Sequence, residues 1–161
     1  MKKKYDLKNV IVEKGDTSDI GKPLVLREIE RVEVSEFTNG DWERGLKESI
    51  ELSLEPGNYL YRGICRHTGD LLFYMGLCRT EGTDIGIPWM LSSEDFTPDK
   101  DFIRKSKQVV TRGMFEDGIK VLCNYIHSGN TKSIKWLKWL GFSFTPHPYL
   151  DTYQQFYLYK E

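Results

Sequence analysis

At 161 residues the chain is long enough for one domain around a sizeable core, and residues 1–161 read as a single domain. Its 23 basic and 24 acidic side chains leave a net charge of -1, so the overall balance calls for neither nucleic acid nor an anionic membrane. Cys65, Cys78 and Cys123 are odd in number and lie in strand-like apolar contexts, which fits reduced thiols in a cytoplasm better than a disulfide framework. Met1-Lys2-Lys3-Lys4 is followed by polar residues and not by the apolar run of a signal peptide, and no window has the length of a membrane span.

In chain order, Asn9–Glu13 is a first strand, closed by the polar turn Gly15–Asp19. Pro23 suits a first helical turn, and from Leu24 to Phe37 the apolar residues Leu26, Ile29 and Val32 recur at helical spacing. Thr38-Asn39-Gly40-Asp41 breaks that helix and caps a second, in which Trp42, Leu46, Ile50 and Leu54 lie four apart until Pro56-Gly57 stops it. The period then becomes that of a sheet. Tyr59–Cys65 and Leu71–Cys78 flank the turn Arg66–Asp70 as a hairpin, and Ile85–Leu91 is a further apolar run in which Pro88 suggests an edge or a bulge. An acidic loop leads to a helix from about Asp101 to Phe115, with Phe102, Val109 and Val110 inward. A strand from Lys120 to Ile126, a further helix and the strands Phe142–Phe144 and Gln155–Tyr159 complete the chain.

The stretch from Asn124 to Phe142 is the most specific. Asn130 stands where an N-cap accepts the orphan amides of a first helical turn, Ile134, Leu137 and Leu140 share one face, and Gly141 stands at the left-handed stop. Lys132, Lys135 and Lys138 make a second stripe turned away from the first, so the predicted helix is basic outside and apolar inside.

Asn130, Ser133, Gly141 and Phe142, preceded by the aliphatic strand, resemble the second conserved motif of the GNAT acetyltransferases, Asn-x-x-(Ala/Ser) followed after seven residues by Gly-Phe. The resemblance implies an α/β (α+β) fold: a mixed central sheet of six to seven strands, splayed between its fourth and fifth, with about four flanking helices. Pro88-Trp89-Met90-Leu91, Asn124-Tyr125, Asn130–Leu137 and the aromatic C-terminal strand look further like a family of tailed-phage proteins, similar to the small internal virion protein of short-tailed coliphages. That likeness covers about residues 8 to 160. It implies a phage origin, a place in the host cytoplasm or the virion, and a virion or host protein as partner.

By the same resemblance, an acyl-CoA cofactor would meet Leu91, Ser92 and Ser93 after the fourth strand, Asn124 in the fifth, and Asn130 and Ser133 on the helix. A working enzyme of this family holds the pyrophosphate on backbone amides of a glycine-rich loop at a helix N-terminus. The loop here, Ser92–Asp101, has no glycine, four carboxylates (Glu94, Asp95, Asp99, Asp101) and one lysine, Lys100. A carboxylate about 4 Å from a phosphate costs about 1 kcal/mol even in water. Only with those acids turned outward, aided by Lys100 or Arg104, would the amides of Ser92 to Asp95 reach a phosphate. Many relatives also carry a tyrosine seven residues after the Asn as a proton donor; here that position is Leu137.

Substitute acids and bases are Glu28 and Glu33 on the first helix, which read first as a solvated face, and Tyr125 and His127 beside the splay, where His127 reads first as a turn residue. No His/Cys spacing builds a metal site. The three lysines, with Trp136, Trp139 and Tyr149, could contact phosphates and bases, but they read more simply as the wet side of a helix and its apolar face, so nucleic acid is not expected. Two functions therefore stand: a binding protein with a degenerate acyl-CoA site, for which the sequence establishes no cofactor, and an active N-acyltransferase with a non-standard loop, whose cofactor would be acetyl-CoA.

Overall fold

The computed structural model describes residues 1–161. One sheet of eight strands runs through the molecule in the order β1-β2-β3-β4-β5-β6-β8-β7. The strands are β1 (Lys4–Asp6), β2 (Val10–Lys14), β3 (Tyr59–Cys65), β4 (Leu71–Arg79), β5 (Ile85–Ser92), β6 (Val121–His127), β7 (Ser143–Pro146) and β8 (Tyr153–Tyr159). All neighbours are antiparallel except β5 and β6. The helices are α1 (Glu28–Phe37), α2 (Trp42–Ser53), α3 (Lys100–Thr111) and α4 (Thr131–Leu140), with single 3-10 turns at Thr17–Asp19 and Gly113–Phe115.

Alternation along β4 sorts the helices onto two faces. Tyr74 packs with Leu46 and Ile50 of α2 and with Leu24 and Leu26, whereas its neighbour Phe73 packs with Phe96 and Phe102, and Leu77 with Val110 and Leu140. Thus α1 and α2 cover one face and α3 and α4 the other. Fully burying each of these large side chains is worth roughly 1.5–3 kcal/mol.

The parallel pair β5–β6 is the exception that creates a site. Only Ile85↔Val121 and Gly86↔Leu122 are in register, after which the two strands diverge. These correspond to the expected fourth and fifth strands, because β1, a three-residue edge strand, precedes the first strand that the sequence announces. Pro88 lies inside β5 and at no bulge; the one irregularity of the neighbouring ladders is at Gly63/Ile64. Its place is permitted because Ser93 N bonds Leu72 O, which puts Leu91 and Trp89 toward β4 and leaves Pro88, Met90 and Ser92 facing β6. Its missing N–H therefore costs no rung.

Two helix readings need correction. The first helix begins at Glu28 and not near Leu24: Leu24 and Leu26 are buried in extended chain, and Leu26 forms an isolated antiparallel bridge with Ser93. Val32, expected inward, is 47% exposed; the buried residue of α1 is Glu30, with Ile29, Glu33 and Val34 half-buried beside it. The expected Asp101–Phe115 helix divides into α3 and the 3-10 turn. Asp41 caps α2 through Arg44 N at 3.1 Å, and Gly141 ends α4 at φ 106°, both as the sequence indicates.

Candidate functional site

Where β5 and β6 part, Asn124 replaces the next rung of the sheet. Its Nδ2 donates to Pro88 O across the gap at 2.8 Å, and its Oδ1 accepts from Tyr125 N at 2.7 Å. Beyond it opens a cavity of about 490 Å³ that reaches from the α1–α2 face to the α3–α4 face. Its walls are mainly apolar, including Phe37, Trp89, Met90, Leu91, Trp136 and Leu137, and its polar residues include Glu30, Glu33, Asn124, Tyr125, Asn130 and Ser133. Trp89 is oriented by its Nε1–H donating to Ser53 Oγ at 2.8 Å, and Gly76 leaves the space for that indole, which any Cβ would invade.

The polar wall is one hydrogen-bonded network. Glu33 Oε1 accepts from Asn130 Nδ2 at 2.7 Å, and Oε2 accepts from His127 N at 3.3 Å. Burial pushes the Glu33 carboxyl up to about 7, against those two bonds, which pull it down. Glu30, 4% exposed, pairs with Arg27 at 2.9 Å and accepts from Ser92 N at 2.9 Å and Ser92 Oγ at 3.1 Å. Arg27 also donates to Ser133 Oγ at 3.1 Å and to Asn130 Oδ1 at 3.5 Å. A solvated α1 face is thus wrong for Glu33 and right for Glu28, which is exposed.

Asn130 holds the N-cap position of α4, but its side chain makes no cap bond. The expectation that it caps the helix fails because Glu33 and Arg27 claim both ends of its amide. Of the residues proposed from sequence, Ser92, Asn130, Ser133 and Glu33 meet in this network, and His127 joins through its backbone. The His127 ring accepts from Gly129 N at 2.9 Å, as a turn residue does, and Ser128 Oγ turns to Gln154. The Tyr125 ring packs on His147 at 4.5 Å and is 41% exposed at the cavity rim. Arg27 and Glu30 escaped the sequence reading. The signal was present: Glu30 falls four residues after Leu26 and Glu33 three further on, so carboxylates occupy the stripe that should have been apolar.

The loop after β5 spends its amides internally. Ser92 N bonds Glu30, Ser93 N bonds Leu72 O at 2.7 Å, Glu94 N bonds Val25 O at 3.1 Å, Asp95 N bonds Ser93 Oγ at 3.2 Å, and Phe96 N bonds Ser93 O at 3.0 Å. Val25–Arg27 lies along Ser92–Glu94 as a short strap, with Arg27 N donating to Ser92 O at 3.2 Å. The N-terminus of α3 is closed by Asp99, whose Oδ1 accepts from Phe102 N at 2.8 Å and whose Oδ2 accepts from Asn9 Nδ2 at 2.6 Å. Asp101 accepts from Lys8 N at 2.9 Å, while Glu94 and Asp95 are exposed. The residues present therefore do not fit an acyl-CoA pyrophosphate: the amides of Ser92–Phe96 are taken, and a carboxylate sits on the helix end. No group of three or more His, Cys, Asp or Glu side chains is placed to hold a metal ion, and no helix is long and apolar enough to cross a membrane.

No protein-family model and no curated protein sequence matches the chain. Solved structures do. The ribosomal-protein-S5-alanine acetyltransferase of Vibrio fischeri is similar with a TM-score of 0.66 at 10% identity, covering 98% of this chain and 97% of that one. The GNAT domain of S. lividans PAT gives a TM-score of 0.67 at 11% identity over 93% and 90% of the two chains. A GNAT-family acetyltransferase of Bacillus anthracis gives 0.62 at 10% identity over 96% and 95%. Identities this low speak to architecture alone, and the architecture is that of the GNAT acetyltransferases.

Proposed function

We propose that this is a GNAT-fold protein of a tailed phage that acts by binding, in virion assembly, as an internal or ejected virion component, or on a host factor. Its acyl-CoA site is degenerate. One observation carries this reading: the five successive amides from Ser92 to Phe96, which would have to face a pyrophosphate, are already bonded within the protein. Releasing them would take from the buried Glu30 its bond from Ser92 N and from the strap its bond between Glu94 N and Val25 O, and a lost bond to a buried group costs about 1–3 kcal/mol. The phage assignment rests on the sequence likeness from Pro88 onward. Isothermal titration with acetyl-CoA up to millimolar ligand tests the degenerate site. No saturable heat is expected, and micromolar binding would overturn the reading.

A second reading, an acetyl-CoA-dependent N-acyltransferase with a non-standard loop, is favoured by Glu33. A carboxyl with a pKa of about 7 on the wall of an apolar cavity is suited to take a proton from an amine near neutral pH. It would require the cofactor to enter without the Ser92–Phe96 amides. Saturable acetyl-CoA binding together with loss of turnover in Glu33→Gln would favour this reading over the first.

A further inference from the structure

The net charge of -1 conceals a separation of charge between the two faces of the sheet. Along α3 and α4 every charged side chain except Asp101 is a lysine or an arginine, whereas α1 and α2 carry mostly carboxylates. Asp101 is consumed by Arg104 at 3.3 Å and Lys105 at 3.5 Å. Lys107, Lys132, Lys135 and Lys138 pair with no carboxylate, while on the other face Arg27, Arg44 and Lys47 each have one and Arg31 alone has none.

The two basic helices are held side by side. Trp136 of α4 donates to Ser106 of α3 at 3.2 Å, and Lys107 Nζ stands 4.9 Å from the ring centre of Trp139, an indole that is 46% exposed. Beside α3 a trough of about 750 Å³ runs along the N-terminal segment, with Lys2, Lys4, Arg104, Lys105 and Arg112 among its lining residues. Its two acids are engaged: Asp6 with Arg66 and Lys4, Glu116 with the N-terminal ammonium.

We propose that the outer surface of the α3–α4 face and this trough form a binding surface for single-stranded nucleic acid, separate from the polar network of Glu30, Glu33 and Asn130 in the splayed site, although Trp136 borders both cavities. Unpaired lysines spread over two helices match a chain of phosphates better than a single anion. A half-exposed indole inside that field offers a base a stacking platform, which an acidic protein segment would not use. Three lysines on one helix, taken alone, are no more than its wet side. The fold adds those of α3 and of the N-terminal segment to the same face.

Fluorescence anisotropy with labelled oligothymidine, run in rising salt with poly-glutamate as competitor, tests the proposal. The affinity should fall with salt with a logarithmic slope of about -2 to -3, as three or four lysine–phosphate contacts give on a single strand. The triple variant Lys107→Gln, Lys132→Gln, Lys135→Gln should flatten that slope and weaken binding at least about tenfold. Trp139→Ala should weaken binding by about fivefold to a hundredfold and leave the slope unchanged. All four positions are exposed, so the unfolding midpoints of the variants should match the parent and exclude misfolding as the cause. Absence of binding at low salt would overturn the proposal. So would poly-glutamate competing as well as the oligonucleotide, an unaltered affinity in Trp139→Ala, or salt-sensitive self-association in sedimentation, which would make a second copy's acidic face the occupant.

Discussion

Asn130 turns its side-chain amide to Glu33, Nδ2 to Oε1 at 2.7 Å, and away from the amides of the helix it precedes. The distinction is measurable in Asn130→Ala. Loss of a bond to a buried carboxylate should cost about 1.5–3 kcal/mol where Glu33 is ionised and distinctly less where it is neutral. Loss of a helix cap would cost about 1 kcal/mol at any pH. Urea unfolding of parent and variant near pH 8.5 and near pH 5 separates the two, and an equal cost at both would restore the capping role.

Glu33 also sets a pH dependence. Its folded pKa of about 7 lies above the ordinary 4.5, so the folded chain binds this proton more tightly than the unfolded one. Stability contributed here is full below about pH 4.5, falls as pH rises toward 7, and is flat beyond, with a span on the order of 3 kcal/mol. Asp99 has the opposite sign, since bonds from Phe102 N and Asn9 hold it below the usual range, and its contribution is lost only as pH falls into the acid region. In Glu33→Gln the decline between pH 4.5 and 7 should vanish. Its persistence in denaturant titrations across that window would assign it to another group.

The strap over the end of β5 depends on a buried ion pair elsewhere. Asp19, with no exposed surface, accepts from Arg62 at 2.8 Å, Tyr74 Oη at 2.9 Å and Asp16 N at 2.8 Å, and so anchors the turn from which Leu24–Arg27 departs. Asp19→Ala leaves the Tyr74 hydroxyl without its acceptor and removes one of the carboxylates on Arg62, which keeps Glu13 at 2.9 Å, and should cost about 1–3 kcal/mol. Hydrogen exchange at the Arg27 and Glu94 amides should quicken with it. A variant as stable as the parent would show the network to be dispensable.

What could be read from the sequence was local. The capped second helix, the Arg66–Asp70 hairpin, the Gly141 stop and the order of elements depend on neighbours a few residues apart, and each left a pattern. The partner of Asn130 lies 97 residues away in the chain, and the choice between a cap and Glu33 is made only when α1 is laid against β6. Trp139 shows the same limit. Periodicity put both tryptophans on the apolar face, but only Trp136 reaches the core, while Trp139 stays at the surface beneath Lys107. The β1 strand, with three residues and one neighbour, was too short to leave a period at all.

Bonded amides, more than charge, close the acidic loop to a phosphate. By charge alone, replacing Glu94, Asp95, Asp99 and Asp101 with Asn or Gln should open the loop to acetyl-CoA. Two of those acids are structural: Asp99 caps α3 and ties it to Asn9, and Asp101 accepts from Lys8 N. The other two are exposed and shape no amide. Neutralisation leaves Ser92 N on Glu30, Ser93 N on Leu72 and Glu94 N on Val25, so the quadruple variant should bind acetyl-CoA no better than the parent. Glu30→Ala combined with Arg27→Ala frees only Ser92 N, because Ser93, Glu94 and Phe96 bond backbone carbonyls, so this double variant should gain no acetyl-CoA binding either. Calorimetric titration of both variants decides the point: binding gained by neutralisation alone would mean that charge, and not bonded amides, keeps the phosphates out.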